Sequence, residues 1–123
     1  MAKIGIWEPD PEVRTILVRA ATRLGHDPLP ADVAIPRDGL DLVLVEPADG
    51  RSRETVARLA DADVHLRIIC VSIHPPELPS LPFKTVSYLL KPFALADLQN
   101  AIEQALKTGA RQGVVRGLGS VVE

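Results

Sequence analysis

Apolar positions along the chain follow two alternating rhythms. Lys3 to Trp7 is a short, strand-like run that closes on Glu8-Pro9-Asp10-Pro11. There Asp10 can cap a helix, and Pro11 suits the first helical position, where its missing N–H has no partner in any case. Val13, Ile16, Leu17, Ala20 and Leu24 then recur at helical spacing, and Gly25 stands where a left-handed residue ends a helix. Leu42-Val43-Leu44-Val45 is apolar without alternation, as in a strand covered on both faces, and it ends on Glu46-Pro47. The same reading predicts a helix over Ser52 to Ala60, strands over Leu66 to Ser72 and Thr85 to Leu90, and a last helix over Leu95 to Lys107. Strands alternating with helices predict βαβ units around a mainly parallel sheet.

Proline interrupts this alternation twice. Pro28, Pro30 and Pro36 leave room between His26 and Gly39 for only a short strand or a helical turn, and Pro75, Pro76, Pro79 and Pro82 exclude a regular helix from most of the stretch before Thr85. Beyond residue 108, Gly109, Gly113, Gly117 and Gly119 favour a flexible tail over a helix-contact motif, so the expected organisation is one domain over 1–108 and a tail over 109–123.

The 123 residues are 46% apolar and 24% charged, with a formal charge of -2, which fits one globular domain and offers no excess charge for nucleic acid or an anionic membrane. No apolar run approaches the roughly 18 residues of a membrane span, and Met1-Ala2-Lys3 leads straight into a strand, so the expected location is the cytoplasm. Cys70 stands alone inside an apolar strand and reads as a small buried hydrophobe rather than a reactive thiol. His26, His65 and His74 share no ligand spacing and read as exposed loop residues.

Sites in parallel sheets form beyond the carboxyl ends of the strands, which singles out Glu8, Glu46, Ser72 and Lys91. The segments Ile6-Trp7-Glu8-Pro9-Asp10-Pro11, Leu42-Val43-Leu44-Val45-Glu46-Pro47, Ile69-Cys70-Val71-Ser72 and Tyr88-Leu89-Leu90-Lys91-Pro92-Phe93 together resemble the CheY-like receiver domain of two-component response regulators, over residues 3 to about 108. That family carries an acidic pair after the first strand, a phosphoacceptor Asp after the third, Ser or Thr after the fourth and Lys-Pro after the fifth. The resemblance implies a flavodoxin-like, doubly wound five-stranded parallel sheet of order 2-1-3-4-5, here with the second and fourth helices shortened or missing. It also implies a cis Lys91-Pro92 bond, a pocket of Glu8, Pro9, Asp10, Ser72, Lys91 and Pro92, and a switch made of Ser72 and Tyr88, Tyr88 matching an aromatic that turns inward on phosphorylation.

Departures from that pattern define a degenerate pseudo-receiver. Glu46 replaces the acceptor Asp and its carboxylate is displaced by about 1.5 Å, one carbon–carbon bond. Pro9 replaces a carboxylate that ligates Mg²⁺, so Mg²⁺ binding is expected to be weak or absent, with Glu8 and Glu46 as the remaining weak candidates. Asp10 reads as a helix cap, or else as a rearranged ligand. Two carboxylates about 5 Å apart repel by roughly 3 kcal/mol at an effective dielectric of 20, and Lys91 can offset much of that without a cation. Glu46 reaching Lys91 and Ser72 would imitate part of a phosphorylated state. Ser72 has the alternative of satisfying a loop amide, Tyr88 that of a locked rotamer, and Trp7 reads as packing beside the pocket.

The function expected is therefore that of a stand-alone receiver-like domain in phosphorelay signal transduction, independent of phosphorylation and not an enzyme. It would act by contact with a protein, a histidine kinase or a downstream signalling protein, or as a homodimer, the last helix being the partner face and Gln99, Asn100, Glu103 and Gln104 its solvent side. The alternatives are a conventional phosphoryl acceptor using Glu46 or Asp49, and a flavodoxin-like binder of a small ligand, for which no backbone phosphate cradle is visible.

Overall fold

The computed structural model describes residues 1–31, 39–75, 81–108, 114–117 and 120–121. Strand β1 (Lys3–Trp7) leads into helix α1 (Pro11–Arg23), with Asp10 as its N-cap; one Asp10 carboxylate oxygen accepts from the Glu12 N–H at 2.9 Å and the Val13 N–H at 3.5 Å. Gly25, at φ +83°, turns the chain out of α1 in a conformation only glycine adopts without strain. Strand β2 (Asp27–Pro30) lies at the sheet edge, where its two prolines leave no ladder donor missing from a central strand. Strand β3 (Leu42–Val45), helix α2 (Gly50–Ala62), strands β4 (Arg67–Ser72) and β5 (Ser87–Leu90), and helix α3 (Leu95–Thr108) follow.

Strands β2, β1, β3, β4 and β5 form the expected parallel sheet in the expected order, with three helices packed on it. Because side chains alternate along each strand, Ile4, Ile6, Leu42, Leu44, Ile69 and Leu89 bury one face against α1 and α3, while Val43, Val45, Ile68 and Cys70 bury the other against Val56 of α2. The pairing register aligns Trp7, Val45, Cys70 and Tyr88 in one row across the sheet. Residues just beyond that row therefore emerge together at the carboxyl edge.

Three expectations need correction or refinement. Helix α2 starts at Gly50 rather than Ser52, because Asp49 supplies its N-cap, accepting from the Ser52 N–H at 3.0 Å and the Ser52 hydroxyl at 2.6 Å. His26 is half-buried, not exposed, and its Nδ1 accepts the Ala2 N–H at 3.0 Å, whereas His65 and His74 are exposed. The expected tail is not structureless: strand β6 (Val114–Gly117) pairs parallel to β5, and β7 (Ser120–Val121) pairs antiparallel to β6, which extends the sheet to seven strands. The open edge of β5 explains this, since unpaired strand N–H and C=O groups accept a further strand and Val114-Val115 is β-branched; the four glycines masked that signal. Gly109, Gly113 and Gly119 lie outside the described residues. Among the described residues of the two proline-rich windows, no α-helix occurs; 32–38 and 76–80 lie outside that description.

Candidate functional site

The β1–α1 and β3–α2 loops are built alike. Each opens with Glu-Pro directly after a buried strand and reaches an aspartate that caps the next helix, Asp10 or Asp49. In each, the glutamate folds one oxygen back on its own loop: Glu8 Oε2 accepts from the Asp10 N–H at 3.1 Å, and Glu46 Oε2 from the Ala48 N–H at 3.0 Å. The other oxygen of each accepts from Lys91 Nζ, at 2.9 Å for Glu8 Oε1 and 3.1 Å for Glu46 Oε1. Two arginines brace these loops from the helices. Arg14 Nε donates to the Glu8 carbonyl at 3.0 Å and its Nη2 to the Pro9 carbonyl at 3.2 Å, while Arg53 Nη1 donates to the Pro47 carbonyl at 2.8 Å. Neither arginine is among the sequence-predicted site residues; the available signal was their position, six residues after Glu8 and six after Pro47.

Burial makes this arrangement demanding. The side chains of Glu8 and Glu46 are 2% and 9% exposed and that of Lys91 15%, so each charge needs its partner. Burial is the largest single influence on Lys91 and pulls its pKa down, but the hydrogen bonds and charges of Glu8 and Glu46 together outweigh it and hold the ammonium above the ordinary lysine value. Two carboxylates and one ammonium leave a net charge of -1 in the cluster. The same surroundings push the Cys70 thiol well up, through burial first and the Glu46 charge second, and Cys70 is fully buried among apolar neighbours, so its thiol stays protonated and inert.

The other predicted residues separate. Asp10 and Asp49 cap helices, and hydrogen bonds from Ser52 hold the Asp49 carboxyl below the usual range, with Arg51 and Arg53 adding to the effect. Pro9 and Pro92 are exposed at the rim, and the Lys91-Pro92 bond is cis, as the resemblance implied. Ser72 does not reach Glu46: its hydroxyl accepts the His74 N–H at 3.1 Å, which is the loop-amide role, because the turn after β4 brings that amide onto it. Tyr88 is turned inward, 5% exposed, and its hydroxyl donates to the His74 carbonyl at 2.8 Å. Trp7 packs in the α2-side core and borders a cleft of about 300 Å³ beside Glu8, Arg14 and Arg51; a second cleft, of about 520 Å³, opens beside Ser72, Tyr88 and Arg53.

These residues do not fit Mg²⁺. The ion requires near-octahedral oxygen ligation, but each of the four carboxylate oxygens already holds a donor, Pro9 has no side-chain oxygen, and Lys91 Nζ stands between the two carboxylates. No group of three or more His, Cys, Asp or Glu residues able to hold a metal occurs among the described residues. No described helix is long and apolar enough to cross a membrane.

No protein-family model and no curated protein sequence matches the chain. Solved structures do. The chain is similar to a response regulator from Thermotoga maritima (TM-score 0.73, 17% identity, covering 88% of this chain and 99% of that one). It is also similar to a response regulator receiver domain protein from Clostridium thermocellum (0.66, 16%, covering 86% and 94%) and to an orphan response regulator of H. pylori (0.66, 17%, covering 86% and 97%). The chain has the fold of response-regulator receiver domains.

Proposed function

We propose that the chain is a receiver-like signalling module of the two-component type that works by protein contact, without phosphorylation and without Mg²⁺. The observation that carries this reading is Lys91 Nζ held between Glu8 and Glu46 at 2.9 and 3.1 Å, with both remaining oxygens on loop amides. An internal ammonium does there what a cation does in a phosphorylatable pocket, and no oxygen of the two glutamates is left to attack a phosphoryl donor without first giving up an ion pair or a loop-amide hydrogen bond. Tyr88 supports the same reading: its inward position is the one that the family resemblance associates with phosphorylation, and a hydrogen bond to the His74 carbonyl fixes it there. The alternative acceptor Asp49 is committed to capping α2. The solvent side of α3, with Asn100 and Glu103 exposed, is the partner face, and the cytoplasm the expected location.

Trp7, which directly precedes Glu8, reports on the pocket. Adding Mg²⁺, with or without a phosphoryl-mimicking fluoride complex, should leave its fluorescence unchanged in the natural protein. The double variant Pro9→Asp, Glu46→Asp, which restores a carboxylate set around Lys91, should acquire a saturable Mg²⁺ response. A saturable response in the natural protein, together with an acyl phosphate on Glu46 or Asp49 after incubation with a small phosphoryl donor, would replace this reading by that of a live phosphoryl acceptor.

A further inference from the structure

The cleft of about 520 Å³ lies outside the carboxyl ends of β3, β4 and β5, the side on which open parallel sheets bind ligands, and its volume falls within the range of small-molecule sites. Pro47, Pro75, Leu81 and Tyr88 give it apolar walls. Among the described lining residues Arg53 is the one permanently charged side chain, and it is half-buried. Its Nη1 is fixed on the Pro47 carbonyl, while Nε and Nη2 have no partner among the described residues. That leaves a guanidinium edge, oriented by its third nitrogen, in the geometry that receives a carboxylate through two parallel hydrogen bonds. Ser72 lies beneath the cleft, fully buried, with its oxygen accepting from the His74 N–H, so the polar contact to an occupant falls to Arg53. The acidic groups near the cleft among the described residues do not compete: Glu46 is held by Lys91 and the Ala48 amide, and Asp49 by Ser52. Among the described lining residues there is no second cation, which a phosphate dianion would call for, and Lys91 is engaged by its two glutamates.

The geometry points to a binding site for a small organic monocarboxylate with an apolar body, its carboxylate on the Nε/Nη2 edge of Arg53 and its body against Leu81, Tyr88 and the two prolines. The site does not depend on the signalling reading. It also touches both ends of the Tyr88–His74 hydrogen bond, so an occupant would stabilise the inward tyrosine.

The test is an NMR titration of the full chain with phenylacetate, phenylacetamide and acetate, following the backbone amides of Ala48, His74 and Leu81 and the Arg53 Nε–H. Phenylacetate should shift these signals saturably, and both the neutral amide and acetate should bind at least ten-fold more weakly. Arg53→Gln should weaken phenylacetate at least ten-fold. Because that change also releases the Pro47 brace, Pro75→Asp, an exposed substitution that leaves Arg53 in place, should independently weaken binding several-fold through repulsion. No saturable shift by 20 mM phenylacetate, equal binding of acetate or phenylacetamide, or binding indifferent to both substitutions would overturn the assignment.

Discussion

Lys91 is the residue on which the pocket turns, because it alone separates two nearly buried carboxylates. Lys91→Met should destabilise the fold by about 3 kcal/mol, the scale for breaking a buried pair on one side, and the triple variant Glu8→Gln, Glu46→Gln, Lys91→Met should recover most of the loss, as urea unfolding would show. The ammonium keeps its proton to higher pH in the fold than in the unfolded chain. Its stabilisation is therefore present below the unfolded-chain value, about 10.4, and is lost as the pH rises through the higher folded value. Above about pH 10 the natural protein should lose urea resistance more steeply than the triple variant. Asp49 behaves oppositely. Its lowered pKa gives stability that is present above the ordinary value of 3.8 and fades as the pH falls through the folded value, so Asp49→Asn should flatten that acid limb. Glu8, Glu46 and Lys91 were legible in the sequence because strand ends in a parallel sheet converge. The role of Ser72 was legible only as one of two choices, since a hydroxyl that satisfies a neighbouring amide leaves no mark in spacing. Arg14 and Arg53 were missed because a helical arginine reads as a solvated side chain until the backbone beside it is known.

At the scale of elements, β1, α1, β3, β4 and α3 were readable from periodicity and capping, since burial on one or two faces imposes a period on the sequence. The strand β6 was not, because a four-residue strand is defined by the ladders it joins rather than by its own pattern. Deleting residues 109–123 should expose β5: backbone amides of 87–90 should exchange faster with solvent, and light scattering should detect self-association through the bared edge. Another element-scale constraint lies in β1, where a Cβ added at Gly5 would stand 2.6 Å from the Trp7 ring atom Cζ3. Gly5→Ala should thus cost about 1–3 kcal/mol by overpacking and shift the Trp7 emission. Pro9 shows a rule of the opposite kind: a residue whose missing side-chain oxygen matters more than any contact it makes.

For the molecule as a whole, the fold was accessible before any coordinates, yet its sheet is wider than a five-stranded reading allows. Glu103→Lys, on the exposed side of α3, should leave stability within about 0.5 kcal/mol while weakening capture of the signalling partner; unchanged capture would move the interface off α3. The added strands also decide how the protein answers to force. Strand β7 pairs Val121 with Arg116, which pairs with Leu89, so its end stands near the carboxyl edge, whereas β1 starts at the opposite end of the sheet, five strand spacings or about 24 Å to the side. A pull between the start of β1 and the end of β7 therefore acts obliquely, partly across the strands and partly along them. It should part the two-residue β6–β7 ladder first, where the fewest hydrogen bonds resist, and load the ion cluster only after the outer strands have come away.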